Sequence, residues 1–203
     1  EVMFDASELL YIYLDRKRRR RKFLASTLLR ALGFGTDDEL LSIYYSFDKV
    51  SLKGKIDETK VAQRVLKADV IDADSQTIIA RKYDPLTIEL AEQIRDAGHD
   101  SIQVVNVSWD EGVFLKSVQK DTSTSTEEAL KDIYAKLRPG DPPSVANARQ
   151  MLKRIFFDPR RYDLGRVGRY KIQQKLGMDE KNESRIIEKE DIVEAIRYLV
   201  NLK

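Results

Sequence analysis

Seven consecutive cations fill residues 16–22, within the stretch DRKRRRRKF that opens on Asp15. A second basic group is spread through RRYDLGRVGRYK. It holds Arg160, Arg161, Arg166, Arg169 and Lys171, interleaved with Tyr162, Tyr170 and two glycines. Such side chains suit one kind of chemistry. A guanidinium takes a phosphate through paired hydrogen bonds, and an aromatic ring stacks on a base. The competing reading of both groups is a solvated, charged surface loop or hairpin. For the first run a nuclear-localisation signal is a third reading. It is the weaker one, because the run joins a strand to a helix inside a folded domain.

Covalent and acid–base catalysis find little support. His99 is the sole histidine and follows Gly98 at a helix end, where a cation suits the dipole, so its role reads as structural. There is no HExxH, no Gly-rich phosphate loop and no GxSxG. Acidic residues are scattered, DEKNE at residues 179–183 reads as a solvated loop, and no EF-hand spacing occurs. With no cysteine, disulfides and thiolate metal sites are excluded. No catalytic residue and no metal ligand is therefore assigned.

Lys and Arg total 36 against 34 Asp and Glu, a net charge of +2, so any electrostatic footprint must come from local clustering. The longest apolar run, residues 9–14, is too short to cross a bilayer, and no signal peptide is visible. The chain opens on EVMF, which reads as strand interior, so a slice of a longer protein is expected.

The elements that would hold these groups follow from pattern. VMF and LLYIYL read as a short antiparallel strand pair around the turn DASE, the second strand apolar at both parities and so buried on both faces. Leu24, Leu28, Ala31 and Leu32 fall at helical spacing, with Gly33 as a stop. Thr36 and Glu39 form a capping box for a second helix faced by Leu40, Leu41, Tyr44 and Phe47. Asp84-Pro85 predicts a helix start, lined by Leu86, Leu90 and Ile94. Helices are also predicted over residues 127–137, from Asp141-Pro142-Pro143 onward, and over 190–202. The expected fold class is α+β: a mostly helical body of residues 1–53 and 120–203, with a small α/β insertion at 54–119.

Several of these stretches resemble the lobe domain of the β subunit of bacterial multi-subunit RNA polymerase. LDRKR followed by TLLRALG is one point of similarity, IYAKLRPGDPPSVANA a second and FFDPRRYDLGRVGRYK the most specific. The closing IIEKEDIVEAIRYLV is similar to the helix that ends that region. The resemblance is weak across 54–119, where the family carries lineage-specific insertions.

The resemblance implies a wall of the main cleft, near downstream and non-template DNA, in a nucleotidyltransferase whose catalytic Mg²⁺ is held by the β′ subunit. No cofactor falls on this chain, and alone it is expected to be inactive. Implied partners are DNA, the β′, α, ω and σ subunits, and transcription factors on the lobe surface. The implied location is the cytoplasm at the nucleoid, with no membrane. Asp15, Arg16, Lys17 and Arg18 lie in the family's D-R-x-R at the cleft-facing edge, which implies DNA contact. Arg166 and Arg169 match its Arg-rich segment, with a DNA-proximal or a structural role. The family often has a shorter basic run followed by Leu-Pro; here residues 19–22 and Phe23 take that place, and they inherit no role. Two rivals stay open: a protein-interaction module for factors or neighbouring polymerase segments, and a freestanding DNA-binding protein. Against the second stands the lack of a helix-turn-helix or zinc pattern.

Overall fold

The computed structural model describes residues 1–14, 21–72, 75–161, 163–179 and 182–202. The fold is α+β, and its residues divide into two compact units: 1–43 with 113–203, and 44–112. These edges differ from the expected 54 and 119. Strand β4 (Ser46–Ser51) pairs along its whole length with β8 (Ser101–Asn106), so residues 46–51 belong to the second unit. Helix α5 (Val113–Lys120) buries Val113, Phe114, Leu115 and Val118 in the first.

The first unit begins with the expected strand pair, β1 (Val2–Phe4) and β2 (Leu10–Tyr13). A third strand, β3 (Lys22–Leu24), completes an antiparallel sheet in the order β1-β2-β3. Contrary to the expectation of burial on both faces, β2 alternates: Leu10 and Ile12 are buried while Tyr11 and Tyr13 are half-buried. Its apolar residues at both parities reflect tyrosine, which buries its ring edge and keeps its hydroxyl near water.

Helix α1 (Ala25–Ala31) follows β3 without a break and is buried through Arg30. Gly33, at φ 120°, lets the chain turn away after it, and the Gly33 amide donates to the Arg30 carbonyl at 3.0 Å. Helix α2 (Asp37–Tyr44) has the predicted box: the Thr36 amide donates to Glu39 at 3.0 Å and the Glu39 amide to Thr36 Oγ1 at 3.2 Å. Phe47 lies beyond this helix, on β4, and is exposed.

Helix α6 (Thr126–Leu137) starts at Ser125, whose hydroxyl accepts from the Glu128 amide. Helix α7 (Val145–Phe156) begins after Pro142-Pro143, with Ala148 and Leu152 buried. Helix α1 packs on α5 and α6, and α6 packs on α7. Ser117 ties these parts together: its hydroxyl accepts from the Leu10 amide and its carbonyl from Ser26 Oγ, both at 3.2 Å. Buried Arg30 donates from Nη1 to the Gly35 carbonyl at 2.7 Å and also pairs with Asp37.

The second unit is built on the antiparallel order β4-β8-β5, with β5 at Arg64–Leu66. A short helix α3 (Glu58–Val61), a two-stranded pair of β6 (Val70–Ile71) and β7 (Ile78–Ala80), and helix α4 (Ile88–Asp96) complete it. Its core gathers Val50, Leu52, Leu66, Leu86, Ile94 and Val104. The predicted N-cap at Asp84 is corrected to Thr87, whose hydroxyl accepts from the Leu90 amide at 3.2 Å. Residues 84–86 stay extended because the Leu86 amide donates to the Arg64 carbonyl and Pro85 bridges to Val65. His99 has the structural role expected: its Nε2 lies 2.9 Å from the Ile71 carbonyl oxygen. No helix among the described residues is long and apolar enough to cross a membrane.

Candidate nucleic-acid interface

Of the first basic run, Asp15, Arg16, Lys17 and Arg18 lie outside the described residues, as do Arg19 and Arg20. The described end of the run is partly structural. Lys22, on β3, places its ammonium 3.8 Å from the Tyr11 ring centroid and 3.8 Å from Asp5.

The second basic group is neither a loop nor a hairpin for most of its length. Residues Gly165–Leu176 form helix α8. Before it, the Arg160 and Arg161 amides both donate to Asp158, at 3.0 Å each, closing a turn that leaves both side chains exposed. Asp163 then fixes the helix entry. Its Oδ1 accepts from the Gly165 amide at 2.7 Å and from Arg185 Nε at 2.9 Å, and Arg185 Nη2 pairs with its other oxygen. The Gly165 bond, then the Arg185 bond, hold this carboxyl below the usual aspartate range. At the far end Gly177 adopts the left-handed conformation at φ 67° that caps a helix.

Arg169 resolves to a structural residue. It is 3% exposed. Its Nε donates to the Ser184 carbonyl and its Nη1 to Asp191, both at 2.6 Å, while Nη2 donates to the Ile186 carbonyl. Asp191, 5% exposed, sits in the first turn of the closing helix α9 (Lys189–Asn201) and also accepts from the Glu188 amide at 2.8 Å. One turn along α8, buried Gln173 donates to the Asp179 and Asn182 carbonyls at 3.0 and 2.6 Å, and Asn182 donates to Glu188 at 2.7 Å. DEKNE is thus partly pinned: its Asn182 belongs to this network. With every nitrogen of the Arg169 guanidinium engaged and the side chain shut away from solvent, a phosphate has no access to it. Of the DNA-proximal and structural roles expected for Arg169, its burial and its pair with Asp191 favour the structural one.

Arg166 is placed differently. It is exposed, and with Val167 at 69% and Tyr170 at 48% exposure, plus Lys171, it forms the outward face of α8. The helix carries Arg166, Arg169, Lys171 and Lys175 and no acid. A stack-capable ring flanked by cations is therefore held on a rigid element.

The structure also gathers cations that sequence reading left apart. Arg21, Arg138, Arg154 and Arg161 line one cavity of about 500 Å³ in the first unit. They stand at four separate positions between 21 and 161; the packing of α7 on α6 brings Arg138, at the end of α6, near Arg154 on α7. No signal of spacing announces it.

The family model for RNA polymerase Rpb2, domain 2, matches residues 104–203. The protein named DNA-directed RNA polymerase subunit beta of Methylacidiphilum infernorum is 46% identical over all of this chain. Those of Protochlamydia amoebophila and Chlamydia trachomatis serovar L2 are each 40% identical, again over the whole chain. The chain spans 17% of the first of these and 16% of the other two, about a sixth of the length of the curated relatives it matches.

Proposed function

The chain belongs to the β-subunit family of DNA-directed RNA polymerases, and on that membership we propose that it forms part of the wall along which the assembled enzyme guides DNA. In this reading the chain is the lobe, contacts downstream and non-template DNA, and works beside the β′, α, ω and σ subunits in the cytoplasm. The catalytic Mg²⁺ belongs to β′. Asp15, Arg16, Lys17, Arg18 and Arg166 are the proposed contacts. Asp15 orients a neighbouring arginine or accepts from a base amino group, because a carboxylate repels phosphate.

The observation that carries this reading is helix α8. Its buried face is locked by Arg169 and Gln173, and its outward face offers Arg166, Tyr170 and Lys171 with no competing carboxylate on the helix. Such a surface attracts a polyanion over many sequences and stacks on an unpaired base.

The test is a salt series with single-stranded and forked DNA. Binding weakens steeply with salt, and Arg166→Ala shallows the log–log slope by about 0.7 on a single strand, the value for one lost phosphate contact. The double variant R16A/R18A shallows it by about twice that. Slopes that stay at the wild-type value in both variants would refute the DNA reading. They would favour the competing role, a surface for transcription factors or neighbouring polymerase segments. The chain alone gives no nucleotide incorporation, and measurable incorporation would overturn the non-catalytic assignment.

A further inference from the structure

The main sheet of the second unit ends differently on its two sides. The outer edge of β5 is occupied by the same chain: the Leu66 amide donates to the Asp84 carbonyl, the Tyr83 amide to the Leu66 carbonyl and the Leu86 amide to the Arg64 carbonyl. On the other side, β4 pairs with β8 over all of its length. Among the described residues no other backbone hydrogen bond reaches residues 46–51. Alternate residues of a strand turn their N–H and C=O to opposite sides, so the far side of β4 presents unpaired donors and acceptors.

A cavity of about 570 Å³ lies beside this strand. It is lined by residues 47–51 of β4, by Thr59 and Lys60 of α3 and by Arg64 of β5. Successive side chains of a strand point to opposite faces. A space lined by consecutive residues of both parities therefore follows the strand's edge rather than one face. The lining holds three cations, Lys49, Lys60 and Arg64, and one acid, Asp48. Arg64 claims that acid: its Nε lies 3.7 Å from Asp48, and its Nη1 donates to the Thr59 and Ala62 carbonyls at 2.9 and 3.2 Å. Lys60 donates to a neutral partner, the Lys55 carbonyl, at 2.8 Å, and Lys49 is exposed. Phe47 adds an apolar surface that is 37% exposed, with the Lys67 ammonium 4.2 Å from its ring centroid.

A second copy of the chain does not fit this edge. Two identical antiparallel strands related by a two-fold axis through the sheet place one residue opposite its own copy. Centred on β4, that residue is Asp48 or Lys49, and like charges directly opposite destabilise a sheet. The surplus of cations asks for a different, acidic strand.

We propose that the free edge of β4 takes an extended, acidic segment of another protein as an added strand. The backbone of the segment bonds to β4, a carboxylate stands opposite Lys49, and apolar residues stand opposite Phe47 and Val50. A match to the whole of β4 is roughly 20 Å of extended chain. This surface gives physical form to the competing role named above, docking of a factor or a neighbouring polymerase segment. It lies in the second unit and holds none of the proposed DNA contacts, so its test is separate from that of the DNA reading.

The experiment uses the 203-residue chain labelled with ¹⁵N and the capped peptide TVETVT, followed through amide chemical shifts. Laid antiparallel on β4, this peptide sets its glutamate opposite Lys49 and its valines opposite Phe47 and Val50. The amide signals of residues 46–51 shift and saturate at millimolar peptide. Lys49→Glu, at an exposed position, weakens TVETVT about fivefold, the size of one cross-strand charge pair, and turns the preference to TVKTVT. Methylating the peptide's backbone nitrogens at alternate positions abolishes binding for one alternate set and spares it for the other, because only one side of a strand bonds to the edge. Arg166→Ala leaves peptide binding at the wild-type value, whatever it does to DNA.

Signals of residues 46–51 that stay in place at millimolar peptide would overturn the inference. Equal binding by both methylated sets would place the peptide on a face and refute strand addition. Displacement of the peptide by an oligo-dT 12-mer, with the same dependence on Lys49, would make the groove a nucleic-acid site instead. A chain that dimerises through residues 46–51 would make the occupant a second copy and sink the proposal.

Discussion

Replacing Arg169 with alanine is expected to unfold the packing of α8 against α9 far more than any loss of surface charge does. Three interactions vanish at once: the pair with Asp191 at 2.6 Å, the bond to the Ser184 carbonyl at 2.6 Å and the bond to the Ile186 carbonyl. The greater cost is what remains. Asp191 is 5% exposed and keeps only its bond from the Glu188 amide, so a buried carboxylate is left without its cation. Breaking a buried pair from one side costs about 3–5 kcal/mol. Against a total stability of roughly 5–15 kcal/mol this is a large fraction, and it lowers the melting temperature by about 10 °C. Arg169→Lys keeps the charge and loses the fork, so it falls between. Adding Asp191→Leu to Arg169→Met removes both charges and recovers much of the loss. The assay is urea unfolding followed by circular dichroism at 222 nm. Fluorescence of the sole tryptophan is the wrong probe, because Trp109 stacks on Tyr44 at 5.3 Å within the second unit. A loss under about 1 kcal/mol for R169A, or a double variant as unstable as the single, would refute the reasoning.

Asp163 gives an acid-range signature. Its carboxyl is held low by the Gly165 amide and then by Arg185, so its contribution is present above the unfolded-state value and fades as pH falls through the folded-state one. Urea midpoints of wild type and Asp163→Asn should therefore differ at pH 6 and converge toward pH 2; a constant gap would remove Asp163 as the cause. Ser125→Ala deletes the acceptor of the Glu128 amide at the start of α6 and should cost about 1 kcal/mol, read as a shift of the same urea midpoint with unchanged slope.

Local rules carried the parts of the fold that are local. The Thr36–Glu39 box and the amphipathic spans of α6 and α9 follow from residues three or four apart, and they appear where the pattern put them. Helix α8 escaped notice because its buried face is Arg169 and Gln173, so no apolar period marks it. Its anchor, Asp191, lies 22 residues away, a distance over which spacing says nothing. The Asp84-Pro85 start obeyed the capping rules and lost to tertiary pairing with Arg64 and Val65. Strand β3 was hidden at the end of a charge run, where Phe23 and Leu24 are its only apolar residues. Of the candidate site, the cationic character was legible from composition. Which arginine faces solvent and which is buried was set by partners remote in sequence, and so was the gathering of Arg21 with Arg138, Arg154 and Arg161.

Ser117 has a consequence for synthesis. The Leu10 amide and the Ser26 hydroxyl both bond to this residue, 107 and 91 positions downstream. At roughly 5–20 residues per second on a ribosome, the first strands wait on the order of 5–20 seconds for a partner that does not yet exist. Residues 44–112 are contiguous and emerge whole within that interval. The first unit, interrupted by them, closes only after they have been made, so the order of translation imposes an order of assembly that the finished molecule no longer displays.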